Sequence, residues 1–240
     1  MKIEIWSDIL CPFCYIGKKH LEIAISQLEF KDQIQIFWRS FQLDPNLSHV
    51  PLEMNKEEYL ASRGYPKDQV NAMFQQLQAA GKALGIEFNQ EQSILVNSRR
   101  AHALIHYAAQ FNKASLAKEA LFKAHFTDAM DIANVNILKH IAISIGLDAV
   151  KAWKYIENGH AEPAIKSDIE KAAKIGIKGV PFFLIANKYG ISGAQPIELI
   201  KETIEKAYDE ANTPQIQIVQ NKENNDSDSD MTCGPEGCKV

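Results

Sequence analysis

The chain has 240 residues, of which 46% are hydrophobic and 23% are charged, a composition typical of a globular protein. This length is sufficient for a sizeable core, built either as one domain with an insertion or as two domains. The formal net charge of −4 gives no electrostatic reason to expect nucleic acid or an anionic membrane as a partner. No stretch of the sequence is long and apolar enough to predict a membrane-spanning helix.

The first residues and the cysteine usage predict a compartment and a chemistry. Glu4 and Asp8 interrupt the apolar run that a secretion signal needs, so we expect no export signal and a cytoplasmic location. Thiols are kept reduced there, and paired cysteines are more often catalytic, redox-sensing or metal-binding than structural. All four cysteines occur in two close pairs, Cys11/Cys14 and Cys233/Cys238. This pattern indicates chemistry at the thiols.

The first cysteine pair lies where a predicted strand passes into a predicted helix. Alternating polar and apolar residues predict a strand at about Lys2–Ser7, and an apolar stripe at helical spacing predicts a helix at about Cys14–Phe30. Unpaired N–H groups and the helix dipole at such a position stabilise a thiolate, which we expect on Cys11. Cys14, one turn further on, can then attack a mixed disulfide formed at Cys11. The alternatives are an accidental pair or half of a zinc site.

The rest of the chain predicts an α/β protein whose single sheet unit is interrupted by helices. Almost every residue from about Lys56 to Gly176 has a helical pattern, with Asp131 and Asn134 as helix starts and Gly85, Gly146 and Gly159 as helix ends. The element order is β-α-β, a block of helices, and then β-β-α. The remaining predicted elements are strands at about Gln33–Phe41, Pro181–Ala186 and Tyr189–Ser192 and a helix at about Pro196–Ala211.

These elements predict a division of the chain into segments. We expect a first sheet part at residues 1–50, a helical insertion at 51–176, a second sheet part at 177–212 and a flexible acidic tail at 213–240. The tail ends in Cys233 and Cys238, which enclose Gly-Pro-Glu-Gly, a strong turn sequence that can bring both sulfurs to disulfide distance. A flexible tether could present this pair to the main dithiol as an accessory redox centre. An unrelated thiol pair or a zinc-binding tail are the alternatives.

Several motifs carry a resemblance to a known family. The C-x-x-C that opens the first helix, together with Gly179-Val180-Pro181 before a late strand, resembles the thioredoxin superfamily. A larger set of motifs occurs in order over residues 1–210 and resembles the FrnE-like branch of the DsbA family: SDILCPFCYIG, FQLDP, NSRRAH, KGVPFF and ISGAQP. The Cys-x4-Cys tail resembles an extra motif that some members of that branch carry.

The resemblance implies a thioredoxin-like fold with a large all-helical insertion and a thiol:disulfide oxidoreductase activity. Cys11 would be the nucleophile, Cys14 the resolving thiol and Pro181 a cis-proline beside them. No cofactor would be needed, and the partners would be protein or peptide disulfides or dithiols with a thiol reductant or oxidant, for a monomer or dimer. Exported DsbA proteins have a signal peptide and a histidine within the C-x-x-C, and this chain has neither. A cytoplasmic setting favours reductase, isomerase or stress-defence roles, with the direction of exchange left open.

Further residues are candidates for substrate binding. Phe13 and Tyr15, with Trp6, flank the dithiol and are expected to form an apolar rim for a peptide substrate, with simple packing as the alternative. A proline at position 181 offers no N–H, which leaves the backbone around Val180 free to pair with an extended substrate strand.

Two other classes of protein compete with this interpretation. The fold is similar to that of kappa-class glutathione transferases and hydroxychromene carboxylate isomerases, but these have a serine near the position of Cys11 and lack the second cysteine. The second competing class is a metal-binding or redox-sensing module that uses four thiolates. His102 and His106 have the i, i+4 spacing of metal ligands, but no third ligand is evident, so we predict packed histidines and no metal. Asn97 and His102 are candidate cleft residues without a chemical step.

Overall fold

The computed structural model describes residues 1–213 and, for the backbone alone, 233–234 and 237–238. Residues 1–210 form one compact unit, and a second unit begins at Ala211. No helix among the described residues is long and apolar enough to cross a membrane.

A four-stranded mixed sheet forms the centre of the first unit. Its strands follow the spatial order β2-β1-β3-β4: β1 pairs with β2 in parallel and with β3 antiparallel, and β3 pairs antiparallel with β4. β1 is therefore a central strand, and five of its six residues are buried. The bounds are β1 at Lys2–Ser7, β2 at Gln35–Ser40, β3 at Phe182–Ile185 and β4 at Tyr189–Ser192.

Helices make up most of the rest of the described chain. α1 connects β1 to β2, seven helices separate β2 from β3, and α9 follows β4. The predicted all-helical insertion within an α/β fold is thus confirmed. The bounds are α1 Pro12–Ser26, α2 Lys56–Ser62, α3 Lys67–Ala83, α4 Arg99–Ala109, α5 Ala114–Phe126, α6 Val135–Ser144, α7 Ala149–Glu157, α8 Glu162–Ile175 and α9 Ile197–Asn212.

The helix ends follow local sequence signals. α2 begins with a capping box in which the Asn55 side chain accepts from the Glu58 N–H and the Glu58 side chain accepts from the Asn55 N–H. Asn134 caps α6 as predicted, whereas the predicted start at Asp131 is wrong, because its side chain accepts from the Ala133 N–H in the loop before the helix. Gly146 follows the end of α6 with a φ of 71°, a left-handed conformation that glycine adopts without a steric penalty. These short-range signals explain why the helical block divides where the sequence predicts.

A buried ion cluster connects the sheet to the insertion. Glu4 on β1 has a fully buried side chain, which contacts Lys2, Arg39 of β2 and Lys171 of α8. Burial alone would raise the pKa of Glu4, but its hydrogen bonds to Lys171, Lys2 and Arg39 lower it to about 2. The carboxylate therefore stays ionised and fixes α8 against the edge of the sheet.

The second unit contains a short hairpin at its end. Cys233–Gly234 and Gly237–Cys238 form two-residue antiparallel strands in which Cys233 and Cys238 are register partners. The predicted turn between the two cysteines is consistent with this pairing. The other predictions for the tail, including a flexible linker at 217–230, concern residues outside those that the structure describes.

Candidate active site

Cys11 lies at the junction between β1 and α1. It is the N-cap of α1, with extended backbone angles, and Pro12 occupies the first helical turn, where a missing N–H costs little. The Cys11 N–H donates to the Asp8 carbonyl at 3.2 Å, and the Cys14 N–H donates to the Cys11 carbonyl at 3.0 Å. Both cysteines are free thiols in the structure, and both are buried. The backbone of the junction therefore places two thiols within one helical turn.

The segment Val180-Pro181 lies directly against the dithiol. The Val180–Pro181 peptide bond is cis, as the resemblance implies. Sγ of Cys11 lies 3.4 Å from the Val180 carbonyl oxygen. A Cβ atom added to Gly17 would lie 3.0 Å from Cγ of Pro181 and 3.1 Å from the Phe183 ring. Glycine at position 17 thus allows α1 to approach the loop that carries Pro181.

A buried carboxylate lies on the Cys14 side of the dithiol. Asp8 accepts from the Leu43 N–H at 2.7 Å and the Leu10 N–H at 3.4 Å, and His102 Nε2 lies 3.4 Å from it. Burial lowers the pKa of His102 below its ordinary value, so the ring is neutral at pH 7 and its Nε2–H acts as a donor. Burial alone would raise the pKa of Asp8, but the His102 hydrogen bond and the backbone N–H of Leu43 hold it below its ordinary value. Asp8 is therefore a fixed negative charge.

A buried lysine from the insertion reaches the same place. The Lys118 side chain on α5 is 1% exposed, and its Nζ donates to the Ser7 carbonyl at 3.3 Å. Nζ also lies 5.4 Å from the ring centroid of Trp38 and 5.0 Å from that of Phe122. Burial lowers the pKa of Lys118 to about 8, although the neighbouring Cys14 and Asp8 charges favour its protonated form. At pH 7 it carries a positive charge.

The two thiols differ in their ionisation. Burial alone would raise the pKa of Cys14, but the hydrogen bond from Cys11 and the charge of Lys118 lower it below its ordinary value. The hydrogen bond to Cys14, together with burial, raises the pKa of Cys11 well above its ordinary range. The first proton to leave the pair is therefore that of Cys14. Its position at the start of the helix alone predicts that Cys11 ionises first. The tertiary environment makes Cys14 the thiol that ionises first.

A cavity of about 550 Å³ opens in front of Cys11. Its walls come from the α1 junction, the loop after β2, α2, α3 and the end of α5, and Cys14 is not among the lining residues. Phe13 is 43% exposed at its rim. The lining residues are Leu10, Cys11, Pro12, Phe13, Leu43, Asp44, Leu47, Lys56, Tyr59, Leu60, Arg63, Tyr65, Met73, Phe74, Leu95, His125 and Val180.

Two buried basic residues line this cavity. Burial lowers the pKa of Lys56 to about 8, and the Cys11 and Asp8 charges favour its protonated form. Burial, with the Lys56 charge, lowers the pKa of His125 to about 3, so that its imidazole is neutral. The Lys56 Nζ and the His125 ring both contact Phe126, at 5.1 Å and 4.6 Å from its ring centroid. Nδ1 of His125 has no hydrogen-bond partner among the described residues.

Of the other residues that the sequence suggests around the dithiol, two are packed in the core and two line the cavity. Tyr15 is 4% exposed, stacks 4.9 Å from Phe122 and donates to Glu119 at 2.9 Å, so it packs α1 against α5 and does not line the cavity. Trp6 is fully buried and donates to the Asp168 carbonyl at 2.9 Å. Tyr15 and Trp6 are therefore packed in the core, which is the alternative to an apolar rim for a peptide substrate. Phe13 and Val180 do line the cavity.

The two histidines of α4 have separate partners. His106 Nε2 lies 3.0 Å from the Ser40 hydroxyl, whereas His102 contacts Asp8. Asn97 holds the loop after β2 by donating to the Pro45 and Leu47 carbonyls. Within residues 1–213 we find no group of three or more side chains that could hold a metal ion.

Sequence reasoning missed the residues that set the charge around the thiols. Asp8 lies within the motif SDILCPFCYIG around Cys11, but in the sequence it indicates only that the apolar run of an export signal is interrupted. Lys56, Lys118 and His125 carry no local signal, because a lysine or histidine on an amphipathic helix is usually solvated. Only the folding of the insertion over α1 brings them to the dithiol.

Comparison with known proteins agrees with this geometry. Residues 2–205 match the family described as the DSBA-like thioredoxin domain. The chain belongs to this family. It is 26% identical over 206 residues to the uncharacterized protein YwbO of Bacillus subtilis, a match that covers 84% of this chain and 94% of YwbO.

Solved structures give the same assignment. A probable DsbA oxidoreductase, SCO1869 of Streptomyces coelicolor, superposes with a TM-score of 0.83 at 28% identity and covers 100% of this chain and 99% of its own. The cytosolic disulfide reductase DsbM of Pseudomonas aeruginosa shares the fold, with a TM-score of 0.61 at 14% identity over 87% of this chain and 98% of DsbM. The chain thus has the thioredoxin-like fold with a helical insertion that its motifs imply.

Proposed function

We propose that this protein is a thiol:disulfide oxidoreductase that works by dithiol–disulfide exchange through Cys11 and Cys14, in the direction of reduction or isomerisation. One observation carries the proposal: of the two buried thiols, Cys11 alone lines the cavity, beside the Val180 carbonyl. A substrate sulfur can therefore reach Cys11, while Cys14 stays behind it within reach of a second attack.

The reaction consists of two exchanges. The Cys11 thiolate attacks a substrate disulfide, a bond forms between Cys11 Sγ and one substrate sulfur, and the other substrate sulfur leaves as a thiolate. Cys14, which carries a proton once Cys11 has attacked, loses that proton to water, and its thiolate then attacks Cys11 Sγ, forms the Cys11–Cys14 disulfide and releases the second substrate sulfur as a thiolate. The substrate gains two electrons and the protein loses two. A thiol reductant from solution restores the dithiol.

Attack requires the charge to move between the two sulfurs. When the pair has lost one proton, the lowered pKa of Cys14 and the raised pKa of Cys11 leave the remaining proton on Cys11. Transfer of that proton to Cys14 gives the Cys11 thiolate without loss of a proton to solvent. Lys56, which lines the cavity on the Cys11 side, favours this form because it places a positive charge near Cys11.

The substrate class is a polypeptide disulfide. The cavity beside Cys11 is mostly apolar, with Phe13 exposed at its rim, as suits the side chains of an unfolded or extended peptide. Pro181 has no N–H to pair with a neighbouring strand, so the backbone of Val180 is available to an extended segment. A cytoplasmic location and a FrnE-type assignment are part of this proposal, and the relative named as a cytosolic disulfide reductase supports it.

The test is reduction of a model protein disulfide with a thiol reductant in excess. We expect Cys11→Ser to abolish the activity and Cys14→Ser to accumulate a mixed disulfide with substrate, detected as an added mass on Cys11. Full activity in Cys11→Ser would refute the proposal. If Cys14→Ser instead turns over glutathione conjugates as well as wild type does, the chain is a glutathione-dependent enzyme of the transferase or isomerase class.

The tail pair is proposed as an accessory redox centre. The support is the register pairing of Cys233 with Cys238 in two antiparallel strands. We expect Cys233→Ser/Cys238→Ser to reduce the rate of protein disulfide reduction without abolishing it. Stoichiometric zinc in the reduced wild type, lost in this variant, would instead assign the pair to metal binding.

A further inference from the structure

Lys118 is a lysine without a carboxylate partner, buried behind the dithiol. Its α5 backbone belongs to the insertion, yet its Nζ ends at the Ser7 carbonyl, at the end of β1. Within residues 1–213, no carboxylate lies within ion-pair distance of this ammonium. Removing an ammonium from water without such a partner is costly, so a purely structural role does not explain its presence.

The charges that face Lys118 come from α1 and from the junction that precedes it. Cys14 and Cys11 on α1 and Asp8 at the junction attract it, with Cys14 the strongest of the three, and Lys18 on α1 repels it. Asp8 already accepts from the Leu43 N–H. Cys14 is therefore the group whose ionisation Lys118 influences most.

The mixed-disulfide intermediate makes this influence decisive. In the resting dithiol, the hydrogen bond from Cys11 stabilises negative charge on Cys14. Once Cys11 Sγ is bonded to a substrate sulfur it has no proton to donate, and this hydrogen bond is lost. Lys118 is then the positive charge that still faces Cys14.

We propose that Lys118 is a positioning residue that favours loss of the Cys14 proton within the mixed disulfide, so that resolution is fast. The inference rests on the proposed dithiol exchange and adds to it a division of labour: the helical insertion supplies the charge that drives the second step. Cys14 attacks as a thiolate, the bond between Cys11 and the substrate sulfur breaks, and the substrate leaves as a thiolate. Lys118 keeps its proton throughout.

The first experiment separates the two steps with Ellman's reagent, an aromatic disulfide whose thiolate is coloured. The protein is the full chain with Cys233→Ser/Cys238→Ser, so that only the dithiol reacts. Attack by Cys11 releases the first thiolate and resolution by Cys14 releases the second. We expect Lys118→Met to leave the first phase within about twofold and to slow the second about tenfold, since an opposite charge nearby shifts a pKa by about one unit or more. Equal slowing of both phases, or an unchanged second phase, would overturn the proposal.

A matched control comes from a second buried lysine. Lys18 on α1 is 3% exposed, but its Nζ forms ion pairs with Glu22 at 2.6 Å and with Glu119. Lys18→Met removes a buried ammonium that already has carboxylate partners, and we expect both phases to match those of wild type. A second phase slowed as much as in Lys118→Met would mean that loss of any buried lysine suffices.

The second experiment reads the ionisation of Cys14 without turnover. Cys11→Ala, in the same tail-serine background, reproduces the loss of the Cys11 hydrogen bond and leaves Cys14 as the one remaining cysteine. The ultraviolet absorbance of its thiolate is followed against pH, and we expect Lys118→Met to raise the midpoint by about one unit. An unchanged midpoint refutes the inference even if dithiol exchange is established. A raised midpoint with an active Cys11→Ser enzyme refutes the proposed function instead.

A measurement on the unsubstituted lysine covers the case in which Lys118→Met fails to fold. Coupling between two sites is reciprocal, so a Cys14 thiolate must raise the pKa of Lys118. We expect the Lys118 side-chain resonance to titrate at higher pH in the reduced protein than in the Cys11–Cys14 disulfide form. The same midpoint in both forms would contradict the inference.

Discussion

The two sides of the dithiol contain the same residue types in different surroundings. On the Cys11 side, Lys56 and His125 are buried in the wall of a cavity that opens to solvent. On the Cys14 side, Lys118 and His102 are closed in by the protein. Each side thus has one lysine whose pKa is lowered to about 8 and one histidine that burial keeps neutral.

The two sides differ in the partners of their carboxylates and in whether they open to solvent. Asp8, whose charge acts on Lys56 as well as on Lys118, is fixed by backbone N–H groups and, on the closed side, by His102. The cavity carboxylate Asp44 is instead occupied by Arg63 and Tyr59. A closed side with a fixed charge suits a thiol that must stay ionised. An open side whose lysine faces the cavity suits a thiol that must receive a substrate.

The largest expected effect is a loss of stability in acid that depends on His125, the histidine of the open side. The pKa of His125 is about 3 in the folded protein against an ordinary 6.5, so below pH 6.5 the unfolded state binds the extra proton. Stability is therefore complete above about pH 6.5 and falls as the pH drops towards 3, by about 3 kcal/mol at about pH 4. We expect His125→Gln to flatten this part of the curve in urea unfolding. The exposed His140→Gln is the control, and an equal flattening there would count against the assignment.

The next effect tests whether the closed side depends on its carboxylate. Asp8→Asn removes a charge that two backbone N–H groups, His102 and Lys118 face, and we expect a loss of about 2 kcal/mol in the free energy of unfolding. Asp44→Asn on the open side should cost less than about 1 kcal/mol, since its partner Arg63 is half-exposed. Urea denaturation of both variants at neutral pH makes the comparison. Equal losses would remove the distinction between the sides.

Gly17 tests the contact that places the open side against Pro181. A Cβ atom in Gly17→Ala would press on Pro181 and Phe183, and we expect a loss of about 1 kcal/mol together with slower exchange. Gly179→Ala is the control, because nothing lies within 4 Å of the added atom. Thermal unfolding and the first phase of thiolate release measure the two effects. A rate equal to that of wild type would show that this spacing does not matter for attack.

The smallest effect sharpens the comparison between the two lysines. Cys11 is the strongest charge that faces Lys56, so Lys56→Met should slow attack by Cys11 about threefold and leave resolution unchanged. Lys118→Met should do the reverse. Both phases are read from one release curve with Ellman's reagent. If the two lysine variants slow the same phase, the sides do not act separately.

Much of this architecture could be predicted from local sequence. Strand alternation predicted β1 at its observed bounds, and the capping signal at Asn134 predicted the start of α6. The predicted first helix began two residues late, at Cys14, and ended four residues late, at Phe30, whereas α1 spans Pro12–Ser26. Proline opens the first turn of a helix readily, and Gln27 is its C-cap, which apolar periodicity does not mark.

The sequence by itself determined the dithiol, its place at a strand–helix junction and the family to which the chain belongs, because these depend on short-range signals and on motifs in order. Only the tertiary structure decided the electrostatics. Lys56, Lys118 and His125 are 45 to 114 residues from Cys11 along the chain, and their pKa values are set by burial that no local pattern encodes. Helix position alone predicts that Cys11 ionises first, but the lowered pKa is that of Cys14 for the same reason, since the Cys11 hydrogen bond and the buried Lys118 ammonium both favour the Cys14 thiolate.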